Sequence, residues 1–300
     1  MYYLFSDFLD RFRKVVSLNT NAFLASKERR KYRTKEIAHW DEYLKTVLNE
    51  SQPIFFLSTG RCGTEFITRI LENDPNLIVH HNPEPELLGI DRWAYETHSD
   101  ASDQLVSAFH AARLELMTDA MVRRRQYIET NFRVTFFAFA IATLLPKARF
   151  VHLVRHPFDF IRSAVRLQYY EGLYTDMGRI RPSTNSEYGP RWPTFAQAEK
   201  AAWLWNETNA FIEAFKSRYA ERSVLTIRFE DMVGETAVLS QLLDYCSAKP
   251  MSKASLKALQ RRPVNRKTAP GQLNLQWGPD MERKVSMLLA KAKTYGYELN

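Results

Sequence analysis

Short apolar runs alternate with longer amphipathic stretches along most of this chain. Ile54–Leu57, Leu77–His80, Arg149–Val154 and Val224–Phe229 are apolar runs too short for a helix and bounded by turn residues, the pattern of buried strands; Gln126 to Asn131 reads as a further strand and its loop. Between them apolar residues recur at helical spacing. Phe66, Ile67, Ile70 and Leu71 follow the first run and stop at Asn73-Asp74-Pro75. Residues 87–125 are mostly helical with a polar break around Thr97–Asp103, and Phe136–Leu145 is an apolar helix halted by Pro146. A helix opens at Pro157 and carries Phe160, Ile161, Ala164, Val165 and Tyr169. A long one spans Phe195–Arg218, and two more cover 235–246 and 280–294. Strands alternating with helices predict an α/β fold: a central parallel sheet with helices on both faces.

The pattern predicts a single domain over residues 1–300, with 1–50 as a helical lead-in. Met1–Leu18 reads as an amphipathic helix, with Phe5, Phe8, Leu9, Phe12, Val15 and Val16 broken by Asp7, Asp10, Arg11 and Arg13, and not as a signal peptide. Glu28–Asn49 is charged and helical in pattern. Glu171–Pro193 departs from the alternation. Gly178, Pro182, Gly189 and Pro190 punctuate it, and it carries Arg179, Arg181, Tyr188, Arg191 and Trp192. It is too long for a plain connector, which suits a lid or an acceptor-binding segment.

The junction after the first strand carries the chemistry. Ser58, Thr59, Gly60, Arg61, Cys62, Gly63 and Thr64 form a small-residue loop between a strand and a helix. Free backbone N–H groups and the helix N-terminus converge there, which suits an anion. Gly60 and Gly63 permit tight turning and close approach. Arg61 supplies a permanent charge and Thr64 a hydroxyl. The nucleoside-triphosphate loop G-x-x-x-x-G-K-[ST] is absent: the glycines lie closer together and no Lys precedes Thr64.

Charge changes the picture modestly. A formal charge of +8 over 300 residues favours an anionic ligand, yet no basic run is interleaved with exposed aromatics, so nucleic acid is not expected. Lys27–Lys35 and Arg123–Arg125 read as solvated helix faces. The 2 cysteines, Cys62 and Cys246, make neither a disulfide framework nor a metal site. No apolar stretch approaches the ~20 residues of a membrane span, and a cytoplasmic location is expected.

S-T-G-R-C-G-T after the first strand resembles the 5′-phosphosulfate loop of sulfotransferases that use 3′-phosphoadenosine 5′-phosphosulfate (PAPS), in the R-x-G-T form of the carbohydrate and tyrosylprotein branches. F-V-H-L-V-R-H-P-F-D-F-I-R-S resembles their 3′-phosphate motif: strand, R-x-P, then a helix serine. L-L-P-K-A-R-F-V-H-L-V-R, T-I-R-F-E-D-M and Y-G-Y near the C-terminus are similar to that family as well, and the resemblance covers about residues 52–297. It implies a P-loop-like sulfotransferase fold that transfers a sulfuryl group in line from PAPS to a hydroxyl or amine of a small-molecule or glycan acceptor, a carbohydrate favoured, releasing PAP without a metal. Residues 58–64, Arg155 and Ser163 would bind the cofactor, and Arg61 would also offset charge on the leaving oxygen.

The general base stays open at this point. Glu84 in P-E-P-E matches the family's position best, on an extended loop past a strand end. Glu129 in Y-I-E-T-N resembles a second family segment, although Thr130 stands where a Lys is usual. Glu86 and the adjacent His80 and His81 are further candidates, and Glu230 reads as structural. Two rivals accompany this reading: a P-loop nucleotide kinase or hydrolase, and a non-catalytic descendant that binds PAP or another anion. Oligomeric state and acceptor identity are not legible.

Overall fold

Ile54, Phe55, Phe56 and Leu57 are all sealed from solvent, the condition of a strand covered on both faces. The computed structural model describes residues 40–97, 102–219, 224–261 and 278–299. The chain divides into two compact units, residues 1–46 and 47–300, and the sheet and all that follows belong to the second. The helix expected over Met1–Leu18 and the basic cluster Lys27–Lys35 lie outside the described residues, as does most of the Arg261–Pro279 stretch.

In chain order the elements are α1 (Trp40–Glu50), β1 (Ile54–Leu57), α2 (Thr64–Leu71), β2 (Leu77–His80), α3 (Ile90–Glu96), α4 (Asp103–Val122), β3 (Gln126–Glu129), α5 (Ala138–Leu144), β4 (Arg149–Val154), α6 (Pro157–Arg166), α7 (Gln197–Arg218), β5 (Val224–Arg228), α8 (Phe229–Gly234), α9 (Thr236–Tyr245), α10 (Lys253–Gln260) and α11 (Pro279–Met287). Four 3₁₀ segments join them: Phe132–Phe137, Tyr174–Gly178, Trp192–Thr194 and Ala290–Tyr295. The sequence spacing differs from this in several places. The apolar helix begins as a 3₁₀ turn and becomes α only at Ala138; the last helix ends at Met287 and resumes as 3₁₀. Phe229 leaves the strand and opens α8, where its ring packs against Gly63.

The sheet is wholly parallel in the order β2-β3-β1-β4-β5. Alternate strand residues serve opposite faces. Ile54, Phe56, Val151, Leu153 and Ile227 join Phe66, Ile67, Ile70 and Leu71 of α2 and Leu239, Leu242 and Leu243 of α9 in one core. On the other face Phe55 meets Phe109 of α4 edge-on at 5.6 Å, and Phe150 meets Phe215 of α7 at 4.8 Å. His152 on that face is buried and held by Asn209 at 2.9 Å; burial keeps its imidazole neutral, with a pKa lowered to about 4.

This order positions the site. From β1 the chain runs out to the edge at β2, whereas from the adjacent β4 it runs out to the opposite edge at β5. Neighbouring strands whose connections diverge leave a crevice at their carboxyl ends, where open α/β sheets bind ligands. Leu57 pairs with His152. The loop that follows Leu57 therefore lies beside the turn that follows Val154.

Candidate functional site

The loop turns by left-handed backbone at Gly60 (φ 74°), Arg61 (φ 56°) and Gly63 (φ 88°). Positive φ is inexpensive only at glycine, and Gly63 is doubly constrained because a Cβ there would overlap the Phe229 ring. Side chains brace the turn from within. Ser58 Oγ accepts from Gly60 N at 3.1 Å, and Thr135 Oγ1 bonds both the N–H and the carbonyl of Ser58 at 3.0 Å. Cys62 is buried against Thr59, and burial pushes its thiol up to about 11, so it packs the loop as an unreactive thiol. The first N–H groups of α2 have no intrahelical partner, and they face the crevice end of the sheet.

The two motifs separated in sequence meet here. Arg61 Nε donates to Ser163 Oγ at 3.1 Å, and Arg155 Nη1 donates to the Arg61 carbonyl at 2.9 Å. Ser163 is buried on α6, whose first turn is opened by Pro157. Trp205 Nε1 donates to the Arg155 carbonyl at 3.0 Å, and the Arg155 guanidinium lies 4.9 Å from the Phe229 ring centre. Arg155 Nε is buried without a hydrogen-bond partner. A buried cationic donor left over in a glycine-lined crevice fits an anionic ligand. Behind it, Glu230 accepts from His156 N at 2.9 Å and from Tyr297 OH at 2.8 Å, tying the turn to the C-terminal Tyr-Gly-Tyr.

The carboxylates named from sequence fall in three different settings. Glu84 is exposed, and its Oε2 accepts from Glu86 N within its own loop at 2.8 Å. Glu86 lies 3.6 Å from Arg133 Nε. Glu129 is sealed: Arg113 grips both its oxygens at 2.8–3.1 Å, Tyr127 OH donates at 2.9 Å, and Asn131 Nδ2 at 3.3 Å. Its bonds thus run to Arg113, Tyr127 and Asn131 rather than to residues 58–64.

His81 sits in a hydroxyl relay. Thr68 donates to the Thr64 carbonyl at 2.7 Å, Thr68 and Thr130 share a bond of 2.6 Å, and Thr130 Oγ1 lies 3.0 Å from His81 Nδ1. A carbonyl can only accept, so Thr68 gives its proton to the Thr64 carbonyl; Thr130 Oγ1, which also lies 3.3 Å from the His80 carbonyl, gives its own to Thr68 or to that carbonyl, and in either case accepts from His81 Nδ1–H. That tautomer leaves Nε2 as the acceptor. Burial lowers the His81 pKa below its ordinary 6.5; the Glu65 charge and a bond to the Thr130 backbone oppose this, and Arg61 adds to it. The residue is neutral and within electrostatic reach of the loop arginine.

A cleft begins at Ser58 and Thr59; its enclosed part has room for little more than a water, and the rest is open mouth. Its walls are mainly apolar, from Phe132, Phe136, Tyr169, Ile180 and Leu204. Arg133, paired with Asp91 at 2.7 Å, and Arg179, stacked 3.4 Å from the Tyr169 ring centre, add the polar edge. The long loop over 171–193 does reach the cleft, through Gly178, Arg179 and Ile180. The 3₁₀ segment Phe132–Phe137 does too, and periodicity of a helix gave no signal of it. Among the described residues no group of three or more His, Cys, Asp or Glu side chains could hold a metal, and no helix is long and apolar enough to cross a membrane.

The fold is similar to that of a solved sulfotransferase domain. The chain superposes on a sulfotransferase domain from the curacin biosynthetic pathway with a TM-score of 0.50 at 18% identity, covering 84% of this chain and 100% of that one. A sulfotransferase domain from the Synechococcus PCC 7002 olefin synthase gives 0.48 at 19%, covering 84% and 98%. A sulfotransferase from Alicyclobacillus acidocaldarius gives 0.49 at 14%, covering 82% and 97%. No curated protein matches the chain by sequence. The profile of the Sulfotransferase family matches residues 53–250. With two thirds of its length under that profile and the parallel sheet and P-loop-like corner of such enzymes, the chain belongs to the sulfotransferase family.

Proposed function

We propose that this protein transfers a sulfuryl group from PAPS to a hydroxyl acceptor. The observation that supports the cofactor is the junction of the loop and R-x-P motifs through Arg61, Ser163 and Arg155, with Arg155 Nε left over. PAPS carries two separated anionic groups and so asks for two anion sites. The loop N–H groups and Arg61 serve the 5′ end, and Arg155 and Ser163 serve the 3′-phosphate. Bound PAPS supplies an activated sulfur with PAP as leaving group. The chain's own part is to align the acceptor oxygen with it, take the acceptor proton, and offset charge on the leaving oxygen through Arg61. The acceptor is held in the cleft that starts at Ser58; a carbohydrate hydroxyl is the class that the resemblance to glycan-modifying members favours. A single catalytic domain carries these parts.

Glu84 is the base in the reading taken from sequence. A specific observation favours a second reading: the relay through Thr130 and Thr68 presents His81 Nε2 as an acceptor, whereas Glu84 is exposed and its Oε2 accepts from Glu86 N in its own loop.

Calorimetric titration tests the cofactor. PAP is expected to bind in the micromolar range, and Arg155→Ala to weaken it by about ten-fold or more, since a hydrogen bond to a charged group contributes ~1.5–3 kcal/mol. Binding of ATP with magnesium, and none of PAP, would instead establish the kinase or hydrolase rival. Tight PAP binding without sulfuryl transfer from PAPS to any hydroxyl acceptor would identify a non-catalytic descendant.

A further inference from the structure

The ladder of β1 runs out where the phosphate loop begins. On the β3 side its pairs are Ile54 with Ile128 and Phe55 with Glu129, and on the β4 side the last is Leu57 with His152. Ser58 comes next and is buried, so its backbone groups need partners from outside the sheet. One side chain serves both: Thr135 Oγ1 accepts from Ser58 N and donates to the Ser58 carbonyl, each at 3.0 Å. A hydroxyl can do the two at once. The N–H belongs to the peptide that enters Ser58 and the carbonyl to the peptide that leaves it, and each peptide is planar. Thr135 therefore sets both planes at the point where strand becomes loop. Ser58 Oγ carries the constraint on to Gly60 N.

Phe132 supports the loop from the same side. Side chains three apart in a 3₁₀ helix eclipse one another, so Phe132 and Thr135 share a face, and the Phe132 ring lies 3.1 Å from where a Cβ on Gly60 would stand. The start of this segment is itself held: Asn131 Oδ1 accepts from Arg133 N at 3.1 Å, and Arg133 pairs with Asp91 at 2.7 Å. Thr135 is sealed from solvent. Further along the loop, the N–H groups of Arg61, Cys62, Gly63 and Thr64 find no partner among the described residues, which leaves them for an anion.

We propose that Thr135 is a positioning residue of the cofactor site: its hydroxyl fixes the peptides around Ser58 so that the free N–H groups of 61–64 are already aimed at the 5′ anion. It acts through the loop backbone alone. This rests on the PAPS reading and adds the residue that pre-organises the 5′ end of that site. Donors fixed in advance need no reorganisation when the charge arrives.

The test titrates the full chain, Thr135→Val and Thr135→Ser calorimetrically with PAP, adenosine 5′-phosphate and adenosine 3′-phosphate. Valine keeps the shape and loses the hydroxyl; serine keeps the hydroxyl. Thr135→Val is expected to weaken PAP and adenosine 5′-phosphate by about ten-fold, the share of one hydrogen bond to a charged group. Adenosine 3′-phosphate, held by Arg155 and Ser163, should stay within about two-fold, and Thr135→Ser should restore the other two. A threonine that only stabilised the fold would lower the folded fraction, which changes the stoichiometry and not the ratio between the two monophosphates. Should Thr135→Val not fold, Thr135→Ala removes the same hydroxyl and gives the same comparison. An unchanged ratio without the hydroxyl, or a serine variant as weak as the valine one, would overturn the proposal. If PAP fails to bind and ATP with magnesium binds, the cofactor reading falls alone, and the valine and serine variants titrated with that nucleotide still decide Thr135. Binding of none of these anions would overturn both.

Discussion

Arg113→Ala is expected to destabilise the protein by about 3–5 kcal/mol, the usual cost of leaving one member of a buried ion pair without its partner. Arg113 and Glu129 are both fully buried and meet through a bidentate contact at 2.8–3.1 Å. Removing the guanidinium strands a carboxylate in the core with only Tyr127 and Asn131 to solvate it. The loss reaches beyond β3, because Arg113 Nη1 also donates to the Pro85 carbonyl at 2.9 Å and so fastens the P-E-P-E loop to α4. Chemical denaturation with urea measures the effect, and Arg113→Met combined with Glu129→Gln should recover most of it, since no uncompensated charge then remains. Glu129→Gln alone decides the role of that carboxylate. As a structural partner it should give a destabilised enzyme that keeps its turnover per folded molecule. Loss of turnover in a variant that remains folded would make Glu129 catalytic.

Legibility followed the range over which each feature is encoded. The central strands β1 and β4 were readable because a strand covered on both faces must be a continuous apolar run, as Phe55 and Phe56 show. The loop at 58–64 was readable because positive φ demands glycine at Gly60 and Gly63, and the R-x-P turn because Pro157 suits only a first helical turn. Their meeting through Arg61 and Ser163 follows from β1 and β4 being neighbours, which the motif order implies only once a parallel sheet is assumed. Arg113 carried no signal. In sequence it is one arginine in a helix, and its partner is fixed by the packing of α4 on β3. The relay through Thr68, Thr130 and His81 was silent for the same reason, since three elements supply one residue each. Helix α10 went unread: Leu256 is its only buried residue, and a single apolar position sets no period. Part of the cleft wall, Phe132, Arg133, Phe136 and Gly178, comes from 3₁₀ segments, whose short runs leave too few residues for a period to emerge.

His81→Asn is expected to lower kcat by about 10²–10⁴, the contribution of a positioned general base. The imidazole accepts the acceptor proton only when neutral, and burial holds its pKa below 6.5 in the folded chain. Activity should therefore be full at neutral pH and fall only as pH drops through a value below 6.5. That acidic limb should vanish from the residual activity of His81→Asn, whose amide does not titrate in this range. Thr130→Val removes the acceptor for Nδ1–H while leaving the imidazole in place. It should give a smaller loss of kcat, because the ring can then adopt the other tautomer and present Nε2–H to the acceptor. Glu84→Gln discriminates the two readings, since the amide keeps the bond from Glu86 N but cannot take a proton. If Glu84→Gln brings the large loss while His81→Asn keeps both its rate and its acidic limb, the base is Glu84 and the relay only orders the β2 loop. If His81→Asn brings it, the proton leaves the acceptor for Nε2, and the relay running to the Thr64 carbonyl stabilises the imidazolium through its Nδ1–H. Helix α2, which follows the glycine loop, would then anchor the base on the β2 loop through Thr130 and Thr68, coupling proton removal to the element whose N-terminus closes that loop.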